Sequence, residues 1–82
     1  MNNKVLVKLL VPEFNLKYDM YLPINKKVGT IVTLISQAVS ELNEKSITFK
    51  YLYNSDTGDC YDYNNLIANT PIRNGSTIVV TR

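Results

Sequence analysis

The stretch Leu16-Lys17-Tyr18-Asp19-Met20-Tyr21-Leu22, then Pro23-Ile24-Asn25-Lys26-Lys27, then Val28-Gly29-Thr30-Ile31-Val32-Thr33-Leu34-Ile35-Ser36-Gln37-Ala38-Val39-Ser40-Glu41-Leu42, changes its hydrophobic period partway. In the first segment Leu16, Tyr18, Met20 and Leu22 alternate with Lys17, Asp19 and Tyr21. A period of two predicts a half-buried strand. In the last segment Val28, Ile31, Val32, Ile35, Ala38, Val39 and Leu42 recur at helical spacing. They fill an arc of about 120°, with Leu34 at its edge. Gly29, Thr30, Thr33, Ser36, Gln37, Ser40 and Glu41 take the opposite side. One amphipathic helix over about 28–42, roughly 22 Å long at 1.5 Å per residue, is predicted to lie on a sheet. Asn43 is its expected left-handed stop. Lys27 is a weak start, since it offers no capping oxygen.

Working outward, residues 4–11 are rich in Val and Leu and end at Pro12, which predicts a first strand. Pro12-Glu13-Phe14-Asn15 turns it into an antiparallel hairpin with 16–22. Beyond the helix, 47–53 (Ile-Thr-Phe-Lys-Tyr-Leu-Tyr) reads as a third strand, and Asn54 to Asp59 as a turn cluster. Cys60-Tyr61 begins a short fourth strand. Leu66, Ile67 and Ile72 pin an irregular connection to the core. Asn74-Gly75 turns the chain into a final strand, 76–82. The order β-β-α-β-β-β predicts an α+β fold, with a mixed sheet on one helix and one small core.

The 82 residues allow one domain, 1–82. Nine bases and seven acids give a net charge of +2, and the bases are dispersed. That is no nucleic-acid footprint. The uncharged stretch Val28 to Ser40 is too short to span a bilayer, so no direct membrane insertion is expected. Lone Cys60 allows no internal disulfide, which fits a cytoplasmic location.

The chain has no His, so the Ser-His and Cys-His nucleophile pairs and the commonest metal ligand are missing. Cys60 lies among Asp59, Tyr61 and Asp62, a setting that does not favour a thiolate. Asp56, Asp59 and Asp62 recur every three residues, but a calcium loop started at Asn54 puts Asp59 where Gly is required and Asn65 where Glu is required. Turn chemistry accounts for these acids. The reading expects no catalytic residue, no metal and no cofactor, and hence no enzyme.

Six tyrosines stand out: Tyr18, Tyr21, Tyr51, Tyr53, Tyr61 and Tyr63. Alternation turns Tyr18 toward the core, and Tyr61 fits a core anchor. With Leu52 inward, Tyr51 and Tyr53 lie on the sheet face away from the helix. Val79 and Thr81 join them there, because Ile78 and Val80 point in. The opposite setting puts Phe49, Tyr51 and Tyr53 inside and Leu52 out. Tyrosine combines contact area with a polar handle, so Tyr51, Tyr53, Val79 and Thr81 are the candidate protein-binding face.

The spacings Leu22 to Val28, Tyr61 to Ile67, Ile67 to Ile72 and Ile72 to Ile78, with Thr70-Pro71-Ile72-Arg73-Asn74-Gly75-Ser76-Thr77-Ile78 before the last strand, resemble the core rhythm of ubiquitin-like β-grasp proteins. Leu22-Pro23-Ile24-Asn25-Lys26-Lys27-Val28-Gly29 and Asn74-Gly75-Ser76 are similar to the small YukD-type proteins of Gram-positive bacterial type VII (ESX/WXG100) secretion systems. The resemblance implies a non-conjugating cytosolic accessory or regulatory component. Its partner would be a protein, such as a membrane or ATPase subunit of the secretion system. Two alternatives stand beside it. One is a stand-alone scaffold or regulator that self-associates weakly, as a homodimer, through an exposed strand edge. The other is a sulfur-carrier-type protein, which would need a C-terminal glycine where Thr81-Arg82 stand.

Overall fold

The computed structural model describes residues 3–82. Strand β1 (Lys4–Val11) passes through a single 3-10 turn, Pro12–Phe14, into β2 (Leu16–Pro23). Asn15 closes that turn in the left-handed region, φ 54°, a conformation Asn tolerates better than most residues. Helix α1 (Val28–Asn43) follows, then β3 (Tyr51–Asn54), a 3-10 turn at Ile67–Asn69, and β4 (Thr77–Thr81). The sheet has four strands in the order β2-β1-β4-β3. β1 pairs antiparallel with β2 and parallel with β4, and β3 pairs antiparallel with β4. This is the mixed sheet on one helix that the periodicities predict.

The core lies between sheet and helix. Val7, Leu9 and Val11 of β1, Leu22 of β2, Leu52 of β3, and Ile78 and Val80 of β4 meet Val28, Ile31, Val32, Ile35 and Val39 of α1. Ile67 and Ile72 are buried in the same cluster, so the long connection is pinned as its isolated apolar residues suggest. Tyr61 packs against the core, half-buried.

The weak start of α1 has a main-chain remedy. Lys27 makes no side-chain cap. The Val28 N–H instead donates to the Asn65 carbonyl at 2.8 Å, and the Gly29 N–H to the Tyr63 carbonyl at 3.0 Å. Two donors left over at a helix start are thus satisfied. A glycine suits this close approach: a Cβ on Gly29 would sit 3.2 Å from Tyr63 Cβ and 3.3 Å from its carbonyl oxygen, so Tyr63 would have to give by a few tenths of an ångström.

Several boundaries depart from the sequence reading, and β2 and β3 each run one residue further than expected, to Pro23 and Asn54. The helix stops one residue later than expected: Asn43 is still helical and bonds through its side chain to the Val39 carbonyl, while Glu44 takes the left-handed cap at φ 53°. The final strand is 77–81 rather than 76–82. The expected fourth strand at Cys60-Tyr61 is a single bridge between Tyr53 and Cys60. The third strand begins at Tyr51, not at 47.

The cause of that last shift lies on the helix. Ser36 was assigned to the solvent side, yet it is buried. Its hydroxyl donates to the Val32 carbonyl at 2.8 Å and accepts the Phe49 N–H at 2.9 Å. One turn on, the Ser40 hydroxyl donates to the Ile47 carbonyl and accepts the Ile47 N–H, at 2.9 and 2.8 Å. Residues 47–49 therefore bond to the helix instead of entering a strand ladder. The chain then changes phase. Ile47 and Phe49 are buried, and so is Leu52, which a regular strand would put on the opposite face from Phe49. Each sequence alternative captures half of this: Phe49 is in, and Leu52 is in with Tyr51 out.

Candidate protein interface

On the sheet face away from α1, antiparallel register places Tyr51 beside Thr81 and Tyr53 beside Val79. All four candidate residues are thus brought together as two cross-strand pairs. They differ in availability. Tyr51 is 51% exposed, and Tyr53 and Thr81 are half-buried. Val79 is only 4% exposed, although it is not part of the core cluster. The physical reason is its place in the row. Val79 neighbours Tyr53 on one side and, through the parallel register, Leu10 of β1 on the other. Val79 is therefore the floor of an apolar row, Tyr53–Val79–Leu10, and not a contact on its surface.

Sequence reasoning missed Leu10 and, further along the same face, the exposed Leu6. Their signal was present. The run Val5 to Val11 is apolar on both parities except at Lys8, as a strand flanked on both sides in a sheet tends to be.

Arg82 places its guanidinium 2.6 Å from a Glu13 carboxylate oxygen and 5.6 Å from the centre of the Phe14 ring. Phe14 in turn meets Phe49 edge-on, with ring centres 6.4 Å apart. The ion pair is about half exposed, so it contributes at most about 1 kcal/mol.

A second surface lies where α1 leaves β2. Leu34, Ala38 and Leu42 share one stripe of the helix and are exposed, Leu34 by 52% and Leu42 by 65%. Leu42 was expected in the buried arc. Tyr18, expected to face the core, sits on the helix side of β2 but remains 38% exposed. Both departures follow from topology: β2 is an edge strand, so the sheet ends before it covers the whole apolar arc of the helix. The result is an open, almost wholly apolar groove of about 350 Å³ between β2 and α1, with Met20 and Leu22 on the strand side and Ile35 and Val39 on the helix side.

In and just after the turn cluster, side-chain oxygens of Asn54 and Asp62 serve main-chain bonds. Asn54 Oδ1 accepts the Asp56 N–H at 2.8 Å, and Asp62 Oδ1 accepts the Asn64 N–H at 2.9 Å. Asn54 itself is buried. Cys60 is a free, exposed thiol. Among the described residues, no helix is long and apolar enough to cross a membrane.

No family profile and no curated protein matches this chain. Solved structures do. A chain of the MycP5-free ESX-5 inner membrane complex, State II, aligns with a TM-score of 0.69 and 15% identity over 96% of this chain. This chain spans 21% of that protein's length. The N-terminal ubiquitin-like domain in the 4931431F19Rik protein aligns with a TM-score of 0.72 and 18% identity, covering 99% of this chain and 76% of that one. The ubiquitin-like domain of Arabidopsis thaliana protein At2g32350 aligns with a TM-score of 0.65 and 19% identity, covering 96% and 77%. With its hairpin, single helix and mixed sheet, the chain has the ubiquitin-like β-grasp fold.

Proposed function

We propose that this chain is a non-enzymatic protein-interaction module of a bacterial type VII secretion system, a YukD-type cytosolic accessory or regulator. The observation that supports it is the alignment of nearly the whole chain with one part of an ESX-5 inner membrane complex subunit. The β3–β4 face suits such a role. Tyr51 and Tyr53 offer aromatic area at low conformational cost over a floor, Val79, that is already packed.

The test is co-purification with the membrane subunits of the secretion system from the source cell. A Tyr51→Ser/Tyr53→Ser variant serves as control. Recovery of a secretion ATPase or membrane subunit by the native chain, reduced at least about ten-fold by the folded double variant, supports both role and face. Equal recovery by the variant removes the face. Recovery of no secretion subunit removes the role.

A further inference from the structure

The outer edge of β2 carries a self-complementary code. The Ile24 N–H donates to the Asn3 carbonyl at 2.8 Å. In an antiparallel ladder hydrogen-bonded pairs alternate with non-bonded ones. Counting back through the register, Leu22, Met20, Tyr18 and Leu16 direct their main-chain groups at β1. Lys17, Asp19 and Tyr21 direct theirs away from the sheet, where no described strand meets them. The open edge thus offers main-chain donors and acceptors at Lys17 and Asp19, with side chains of opposite sign two residues apart on one face. Among the described residues the one ion pair joins Arg82 to Glu13, so neither Lys17 nor Asp19 closes an ion pair there, although Lys8 stands opposite Asp19 across the hairpin.

We infer that a second copy of this chain docks here, β2 against β2 in antiparallel register about a two-fold axis at Tyr18. A two-fold interface must be self-complementary, and register decides whether it is. Centred on Tyr18, Lys17 faces Asp19 of the second copy and exchanges both main-chain bonds with it, and Asp19 does the same with Lys17. Centred one residue earlier, Lys17 faces Lys17. Centred one residue later, Asp19 faces Asp19. Like charges directly opposite are destabilising. Centred further on, the ladder runs into Pro23, which has no N–H to give.

The same register acts on the other face of the strand. It sets Tyr18 against Tyr18 as a non-bonded pair, the closest side-chain approach in an antiparallel ladder. It brings the two apolar grooves together at the axis, so that the exposed Leu34 and Leu42 stripes flank a shared seam. Charged edge residues usually blunt strand addition. Here their alternation in sign permits one register and opposes its neighbours. The ladder is short, which places the dimer in the weak, transient class.

The test is sedimentation equilibrium of the native chain up to about 1 mM, with Lys17→Asp, Asp19→Lys and the double exchange. Both sites are exposed, and melting curves at dilute concentration check that each variant folds. The native chain should dimerise. Each single reversal should raise the dissociation constant at least about ten-fold, because symmetry applies it at two pairs. The double exchange should restore the native value to within about three-fold. The two single variants, mixed, should form a heterodimer, since every facing pair is then opposite in sign. In the native dimer, amide exchange should slow at Lys17 and Asp19. A native chain that stays monomeric, single reversals without effect, no heterodimer on mixing, or a β2 edge protected only by an added foreign peptide would each overturn the inference. None of these outcomes bears on the β3–β4 face.

Discussion

Ser36 holds Phe49: its buried hydroxyl accepts the Phe49 N–H at 2.9 Å while donating to the Val32 carbonyl at 2.8 Å. Together with Ser40, which holds both main-chain groups of Ile47, it fixes where the third strand can begin. Replacing it with alanine leaves a buried N–H with no acceptor. The expected loss is about 1–3 kcal/mol, the desolvation cost of an unpaired buried amide. Thermal melting should report a fall of roughly 4–8 °C per kcal/mol for a domain of this size. Amide exchange at Phe49 should accelerate more than at Leu52.

Glu44 caps α1 with φ 53°. A non-glycine residue is strained there by roughly 1–2 kcal/mol. Glu44→Gly removes the strain, at some cost from the greater freedom of the unfolded chain. A net gain of about 0.5–1 kcal/mol is expected in urea unfolding. A loss would mean that the Glu44 side chain matters more than its backbone.

Tyr53 and Val79 are cross-strand neighbours with different duties. Val79→Asp buries an unpaired carboxylate in a site 4% exposed, and should cost at least about 3 kcal/mol or abolish folding. Tyr53→Glu, on a half-buried side chain, should cost less than about 1.5 kcal/mol. Circular dichroism and chemical unfolding distinguish the two. A charge at Val79 therefore cannot serve as a surface control in capture experiments.

Asn54 closes the 54–59 turn from the inside. Its Oδ1 accepts the Asp56 N–H, its carbonyl accepts the Gly58 N–H at 2.7 Å, and its Nδ2 lies 3.4 Å from the Tyr61 hydroxyl. Asn54→Ala removes the side-chain bonds alone. A loss of about 1–2 kcal/mol is expected, with faster exchange at Asp56 but not at Gly58.

The two periods in residues 16–42 made the hairpin, the helix and their shared core readable, because each period reports which face is wet. Periodicity is silent on which strand ends the sheet. That is why Leu42 and Tyr18 were expected inside: their apolar positions are right, but β2 has no strand beyond it to complete the cover. The docking of 47–49 was hidden for a different reason. It depends on two serines that a polarity pattern assigns to solvent, and its one sign in the sequence is their spacing of four beside the apolar arc. On the β3–β4 face, alternation placed Tyr51, Tyr53, Val79 and Thr81 correctly on one side. It could not show that Leu10, remote in sequence, lies beside Val79 and helps to bury it.

Strand β4 sits inside the sheet, with β1 on one flank and β3 on the other. Leu9 and Ile78, near opposite ends of the described chain, are register partners, while β3 pairs with no strand except β4. On the ribosome, the hairpin and helix emerge well before the segment that joins them to β3. Closing so long a loop is the slow event in small domains. Cooperative folding must therefore wait until synthesis has passed Thr81, and until then the flank of β1 awaiting β4 is open to chaperones.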